Sequence, residues 1–112
     1  MKTIICGGRD YFLTDDDFLF LDSMKDQITE VVSGCARGAD SCGELWANKN
    51  NIPIKPFPAK WKVNGVLDRA AGIKRNCLMA QYAEQCVVFS GGNGTRHMKS
   101  EAEKRGLNVI VR

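Results

Sequence analysis

Three apolar, strand-like segments of this 112-residue chain each end in a glycine-rich turn. They are Lys2–Cys6, Glu30–Ser33 and residues 85–90, and two further apolar segments cover residues 52–57 and 107–111. Helical patterns separate the five segments, and strands that alternate with helices indicate a parallel sheet covered on both faces. We therefore predict a three-layer, doubly wound α/β fold of Rossmann-like type, formed by residues 1–112 as a single domain.

Local signals set the expected limits of the elements. Thr14 and the aspartates after it are typical of a helix start. Pro53 and Pro56 cannot donate ladder hydrogen bonds, so the third strand is expected at an edge of the sheet. We predict helices over residues 15–27, 40–49 and 96–105, and another that follows an irregular segment at 58–68 and ends near 83. The inward positions we expect are Cys42, Leu45 and Trp46 in the second helix, and Ala70, Ile73, Cys77 and Ala80 in the third.

The expected strand order, 3-2-1-4-5, brings the three glycine-rich turns to one place. Ligands of doubly wound sheets bind beyond the carboxyl ends of the strands, where the strand order reverses. Glycines allow close approach of a ligand to the backbone, and helix N-termini attract phosphate. The predicted ligand- and phosphate-binding residues are Gly7, Gly8, Arg9, Asp10, Ser33, Gly34, Arg37, Gly38, Asp40, Gly91, Gly92, Gly94 and Thr95.

Composition narrows the functional classes. The net charge is only +3, and the sequence contains no dense run of basic residues. Nucleic acid is therefore not favoured as a partner. The five cysteines include no Cys-x-x-Cys pair, so we expect neither disulfides nor a metal site. No apolar run approaches the ~20 residues of a membrane span, and reduced thiols favour a cytoplasmic location. The turns match neither the P-loop pattern nor the dinucleotide fingerprint.

Five motifs resemble the YspA/YpsA-related branch of the SLOG superfamily, which also includes the Lonely Guy phosphoribohydrolases and DprA. They are Gly-Gly-Arg-Asp-Tyr at 7–11, Val-Ser-Gly-x-Ala-Arg-Gly-Ala-Asp at 32–40, Pro-Ala-x-Trp at 58–61, Arg-Asn-x-x-Met at 75–79 and Gly-Gly-x-Gly-Thr at 91–95. Small members of this kind occur in bacteria and their phages. The resemblance implies a Rossmann-like fold and a site for nucleotides or their derivatives, and it adds Arg75, with Asn76 beside it, to the predicted contacts.

The resemblance leaves the catalytic residue open. In Lonely Guy enzymes the last turn reads Pro-Gly-Gly-x-Gly-Thr and a catalytic glutamate follows shortly. Here Ser90 replaces the proline, and the first acidic residue after Thr95 is Glu101. If the protein is an enzyme, the candidates are Asp40, Glu44 and Arg75.

Several side chains have two interpretations. Arg37 is favoured as a phosphate ligand over a solvated arginine, and Asp40 is favoured as a helix cap that is also able to bind a ribose hydroxyl. Glu44 is either a second carboxylate of the site or a surface residue. Tyr11 and Trp61 both lie in loops, where an aromatic ring is able to stack on a base. For Trp61, packing against the core is favoured. His97 follows the last glycine-rich turn, but it is given no catalytic role and is not favoured as a ligand contact.

The function we predict first is binding of a nucleotide-type ligand, as a sensor or a sequestering module, with no required cofactor. The alternative is hydrolysis of the N-glycosidic bond of a nucleoside phosphate, and single-stranded DNA binding is a distant third. A homo-oligomer is compatible with the sequence, which does not determine the oligomeric state.

Overall fold

The computed structural model describes all residues from 1 to 112. Its elements follow in the order β1 (Lys2–Cys6), α1 (Asp15–Ser23), β2 (Glu30–Ser33), α2 (Ala39–Lys49), β3 (Ile54–Pro56), β4 (Lys62–Val63), β5 (Val66–Leu67), α3 (Ala71–Tyr82), β6 (Gln85–Val88), α4 (Asn93–Lys104) and β7 (Asn108–Val111). Five strands form a parallel sheet in the order β3-β2-β1-β6-β7. Since β6 and β7 are the fourth and fifth strands of this sheet, the predicted fold class and the order 3-2-1-4-5 are confirmed.

The sheet has helices on both faces. On one face, Ile5 and Val31 pack with Leu21 of α1 and Trp46 of α2. On the other face, Ile4, Val32 and Val88 pack with apolar side chains of α3 and α4. Because successive strand residues point to opposite faces, β1 supplies both cores from neighbouring positions. Each fully buried aliphatic side chain contributes about 1.5–3 kcal/mol to the free energy of folding.

Helix α1 is shorter than predicted. Thr14 and Asp17 form a capping box at its start, with Asp17 N–H donating to Thr14 Oγ1 at 3.2 Å and Thr14 N–H donating to Asp17 Oδ2 at 3.1 Å. At the other end, Met24 N–H donates to Leu21 O, which tightens the last turn, and a separate 3-10 turn covers Lys25–Gln27. The prediction of a continuous helix to residue 27 is therefore wrong.

The segment predicted to be irregular contains a small antiparallel hairpin, β4–β5. Asn64 and Gly65 form its turn, and both have positive φ, at 53° and 79°. Asn-Gly is the strongest short-range signal for such a turn, because both residues tolerate the left-handed conformation that the strand twist requires. The sequence held this signal, and the prediction missed it.

The predicted inward stripe of α3 is partly wrong. Ala80 is buried, but Ile73 is 54% exposed, whereas Asn76 and Met79 are buried. The helix is rotated relative to the prediction because its first half faces a cleft rather than the sheet. In α2, Trp46 is buried as expected and Leu45 is exposed.

The remaining differences are small. Helix α4 begins at Asn93, three residues before the predicted start, directly after Gly92. Strand β3 lies at the edge of the sheet, as the prolines predict. None of the helices combines the length and the apolar character that crossing a lipid bilayer needs.

Candidate functional site

The three glycine-rich turns meet at the carboxyl edge of the sheet. Gly8, in the turn after β1, is hydrogen-bonded to both other turns. Its N–H donates to Ser90 O at 2.8 Å, and its carbonyl accepts from Ala39 N–H at 3.2 Å. The turn after β1 therefore bridges the turns after β2 and β6, and their relative position is fixed by backbone bonds.

Two of the glycines serve these turn-to-turn contacts. Gly38 has a φ of +77°, and a Cβ there would lie 2.4 Å from the carbonyl oxygens of Gly8 and Arg9. A Cβ on Gly91 would lie 2.1 Å from Thr95 Oγ1 and 2.7 Å from Gly8 N. Neither Gly38 nor Gly91 lines the cleft described next.

A cleft of about 540 Å³ opens where the turns meet. Its volume is within the range of small-molecule sites. The predicted residues that line it are Gly7, Gly8, Arg9, Gly34, Asp40, Arg75, Asn76, Gly92, Gly94 and Thr95. The predicted residues that do not line it are Asp10, Ser33, Arg37, Gly38, Glu44 and Gly91.

One wall of the cleft is the start of α4. The first N–H groups of a helix have no partner within it, and the helix dipole adds positive potential there. A Cβ added to Gly92 or Gly94 would meet no atom within 4 Å. The backbone of this turn is therefore open to the cleft, as required of an anion-binding helix terminus.

The adjoining wall is formed by Arg75 and Asn76 of α3. Arg75 Nη1 donates to the carbonyl oxygen of Gly34, and Arg75 Nε donates to Asn76 Oδ1 at 2.9 Å. Asn76 Nδ2 lies 3.3 Å from Gly94 O and 3.2 Å from His97 Nδ1. This network joins the second turn, α3 and the start of α4, and it orients both Arg75 and His97 in the cleft.

Asp40 is the buried carboxyl group of the cleft, with only 6% of its surface exposed. Burial raises the pKa of Asp40 to about 6, despite the hydrogen bond from Ala36 N–H and the nearby Arg75. The N-cap position predicted for Asp40 is occupied by Gly38, which makes no side-chain cap, and Asp40 Oδ2 accepts from Ala36 N–H at 3.2 Å. A carboxyl group with this pKa exchanges its proton close to neutral pH.

Glu44 has a supporting position. It accepts a hydrogen bond from the hydroxyl of Ser33, whose oxygen in turn accepts from Cys35 N–H at 3.1 Å. Ser33 and Glu44 thus stabilise the turn after β2 without lining the cleft.

Asp10 and Arg37 form a 3.2 Å ion pair whose side chains are 91% and 72% exposed, so the pair contributes under about 1 kcal/mol to stability.

Ten further residues line the cleft, and three of them bear on its chemistry. Trp61 is 42% exposed and lies over Gly72 at the rim, so the prediction that it packs in the core is wrong. Arg69, which was not predicted, and His97, which was not favoured as a ligand contact, also line the cleft. The missed Asn-Gly turn explains Arg69, because the hairpin brings the segments on either side of that turn together, with Asp68 N–H donating to Trp61 O at 2.6 Å.

Tyr11 does not lie in the cleft. Its ring is stacked on Phe89 with centroids 6.0 Å apart, and its hydroxyl donates to Asp17. This hydrogen bond also raises the pKa of the Tyr11 phenol. Tyr11 is thus held against the core and is not available to stack on a base.

Cys77, His97 and Glu101 bring three potential metal ligands within 4.8 Å of one another. Asn76 opposes metal binding there, because its Nδ2 donates to His97 Nδ1 and leaves the proton on Nε2, which faces Glu101. Metal-bound histidines instead donate their second ring N–H to a partner. Glu101 also contacts Lys104 and Arg105, and it does not line the cleft.

Comparison with known proteins agrees with this architecture. The family model for the YspA, cpYpsA-related SLOG family matches residues 1–63, which contain the first two glycine-rich turns and Trp61. The "Gene 61 protein" of Mycobacterium phage D29 is 38% identical over 123 aligned residues, which cover 97% of this chain and 94% of the phage protein. The chain thus belongs to the YspA, cpYpsA-related SLOG family, a family of nucleotide-related Rossmann-like domains.

Proposed function

We propose that the cleft binds a nucleotide or a nucleotide-derived phosphorylated ligand, and that the protein acts as a sensor or a sequestering module. The observation that carries the proposal is the convergence of an open helix N-terminus and two arginines, Arg9 and Arg75, on one cleft. Backbone amides and guanidinium groups are the donors that phosphate prefers in proteins.

The phosphate is assigned to the wall formed by the start of α4. Gly92 and Gly94 leave this backbone uncovered. Arg9 is exposed and forms no ion pair, so its guanidinium group is free to bind an anion, whereas Arg75 is held in place by Gly34 and Asn76. A ligand would thus meet one preorganised and one adaptable arginine.

The base is assigned to Trp61. An indole at the rim of a cleft offers a flat apolar face, and stacking of a base on an aromatic ring contributes about 1–3 kcal/mol. Asp40, on the floor of the same cleft, is suited to accept a hydrogen bond from a sugar hydroxyl when it is ionised.

Titration calorimetry with adenosine, guanosine, cytidine and uridine 5′-monophosphates tests the proposal. We expect at least one to bind, and to bind about tenfold or more tightly than its nucleoside. Arg9→Ala should weaken binding of that nucleotide about tenfold, and the control Lys49→Ala, on the exposed end of α2, should leave it unchanged. Equal affinities for nucleotide and nucleoside, or no binding by any nucleotide, would contradict the proposal.

A second function, hydrolysis of an N-glycosidic bond, is favoured by Asp40. Water adds to the anomeric carbon, the carbon–nitrogen bond breaks, and its electron pair leaves with the base, which takes up a proton. The pKa of Asp40, about 6, suits a group that accepts the proton of the attacking water or stabilises the cationic sugar.

Chromatography of the reaction mixture separates the two functions. Release of free base and sugar phosphate that disappears in Asp40→Asn, with nucleotide binding retained, supports hydrolysis. Quantitative recovery of the intact nucleotide after prolonged incubation with the wild-type protein supports binding alone.

A further inference from the structure

A second cavity of about 570 Å³ adjoins the cleft, and we call it the outer lobe. Five residues line both spaces and therefore form the partition between them: Arg9, Gly34, Ala36, Trp61 and Arg75. Gly34 has no side chain, and even a Cβ there would lie 2.8 Å from Arg75 Nη1 and from Asp40 Oδ2. The side chains of Arg75 and Asp40 therefore pack directly on Gly34. The cleft and the outer lobe lie side by side across this partition, and we call the two spaces together the groove.

The outer lobe has a different chemistry from the cleft. Its nine lining residues include three arginines, Arg9, Arg37 and Arg75, and no carboxylate. It contains no part of the start of α4, whereas the cleft contains that helix terminus and Asp40. The groove therefore offers two separate sites for anions, one made of helix amides and the other of guanidinium groups.

We propose that the groove takes a ligand with two phosphoryl groups separated by a nucleoside, such as a nucleoside bisphosphate or a 5′-phosphorylated dinucleotide. This inference rests on the proposed function and adds the second anion. One phosphoryl group binds at the start of α4, the second binds at Arg37 in the outer lobe, and the nucleoside between them lies against Trp61.

Arg37 is the residue that distinguishes this ligand from a mononucleotide. It lines the outer lobe and not the cleft. Its present partner is the carboxylate of Asp10, and both groups are largely in water. Such a pair is weak, so a phosphoryl group, which accepts two hydrogen bonds from one guanidinium group, displaces the carboxylate.

The test compares adenosine 5′-monophosphate, adenosine 3′,5′-bisphosphate and the dinucleotide pApA by titration calorimetry on the whole protein. We expect the better of the two doubly phosphorylated probes to bind about tenfold more tightly than the monophosphate. If the dinucleotide binds more tightly, the ligand is a dinucleotide. If the bisphosphate binds more tightly, the ligand is a nucleoside bisphosphate.

Two variants assign the gain to the outer lobe. Arg37→Ala should reduce the tenfold preference to about threefold or less, with the affinity for the monophosphate unchanged. Asp10→Ala, which removes the competing carboxylate, should preserve or increase the preference. Both changes lie at exposed side chains, and thermal melting checks that the fold is kept.

The outcomes separate this inference from the function on which it rests. Binding of the monophosphate with no gain for either doubly phosphorylated probe overturns the inference and leaves the proposed function standing. Equal weakening of all three probes by Arg37→Ala also overturns it. Absence of binding by every probe overturns both.

Discussion

The side-chain amide of Asn76 donates a hydrogen bond across 3.2 Å to Nδ1 of His97. Its direction is fixed because Asn76 Oδ1 accepts from Arg75 Nε at 2.9 Å, so the nitrogen of the amide has to face His97. An arginine, an asparagine and a histidine are thereby ordered in one cleft.

We predict that neutral His97 carries its proton on Nε2. Nitrogen NMR of the imidazole at a pH where the ring is neutral measures the tautomer directly, and His97 is the single histidine of the chain. In Asn76→Ala the amide donor is lost, and we expect the tautomer preference to decrease. A wild-type ring protonated on Nδ1 would show that the amide does not donate to it.

The stability of the protein should depend on pH through Asp40. The pKa of Asp40 is about 6 in the fold and 3.8 in the unfolded chain, so the folded state binds the proton more tightly. The free energy of unfolding contributed by this group is therefore highest below pH 3.8 and is lost as the pH rises through 6. At neutral pH the loss is about 1–3 kcal/mol.

Asp40→Asn removes this titration and is the control. We expect the stability of the variant, measured by denaturant unfolding and expressed relative to wild type, to increase between about pH 4 and pH 7 by this amount. A stability difference that does not change with pH would mean that Asp40 titrates normally.

The close backbone contact at Gly38 predicts that a side chain at this position destabilises the fold. Gly38→Ala places a Cβ against two carbonyl oxygens at positive φ, and we expect a loss of about 2 kcal/mol or more. Gly92→Ala adds the same methyl group where no atom lies within 4 Å, and it should change stability by less than about 0.5 kcal/mol. Equal denaturation midpoints for the two variants would contradict the close packing of the turns.

Gln85 is fully buried, and neither Nε2 nor Oε1 has a hydrogen-bond partner. Gln85→Met keeps the length of the side chain and removes both polar atoms, so we expect it to raise the free energy of unfolding by about 1 kcal/mol. The control is Thr3→Val on the neighbouring strand, where the buried hydroxyl donates to Met1 O at 3.1 Å and its loss should not stabilise. A destabilised Gln85→Met would indicate a buried water bound to the amide.

The sequence determined the order of strands and helices, because apolar strands and glycine turns are local patterns with local causes. It also indicated which turns gather, since the carboxyl ends of parallel strands share one edge of a sheet. The Asn64-Gly65 turn is equally local, since this dipeptide by itself favours a hairpin.

Only the tertiary structure decided which of the predicted residues face the cleft. Asp40 and Glu44 are one turn apart on α2, yet Asp40 lines the cleft, whereas Glu44 lies outside it and accepts a hydrogen bond from Ser33. Gly38 and Gly92 read alike in the sequence, but one packs on Gly8 and the other lies in the open. Such differences arise from contacts between segments far apart in the chain. The burial of Asp40 and the partition between the cleft and the outer lobe have the same origin.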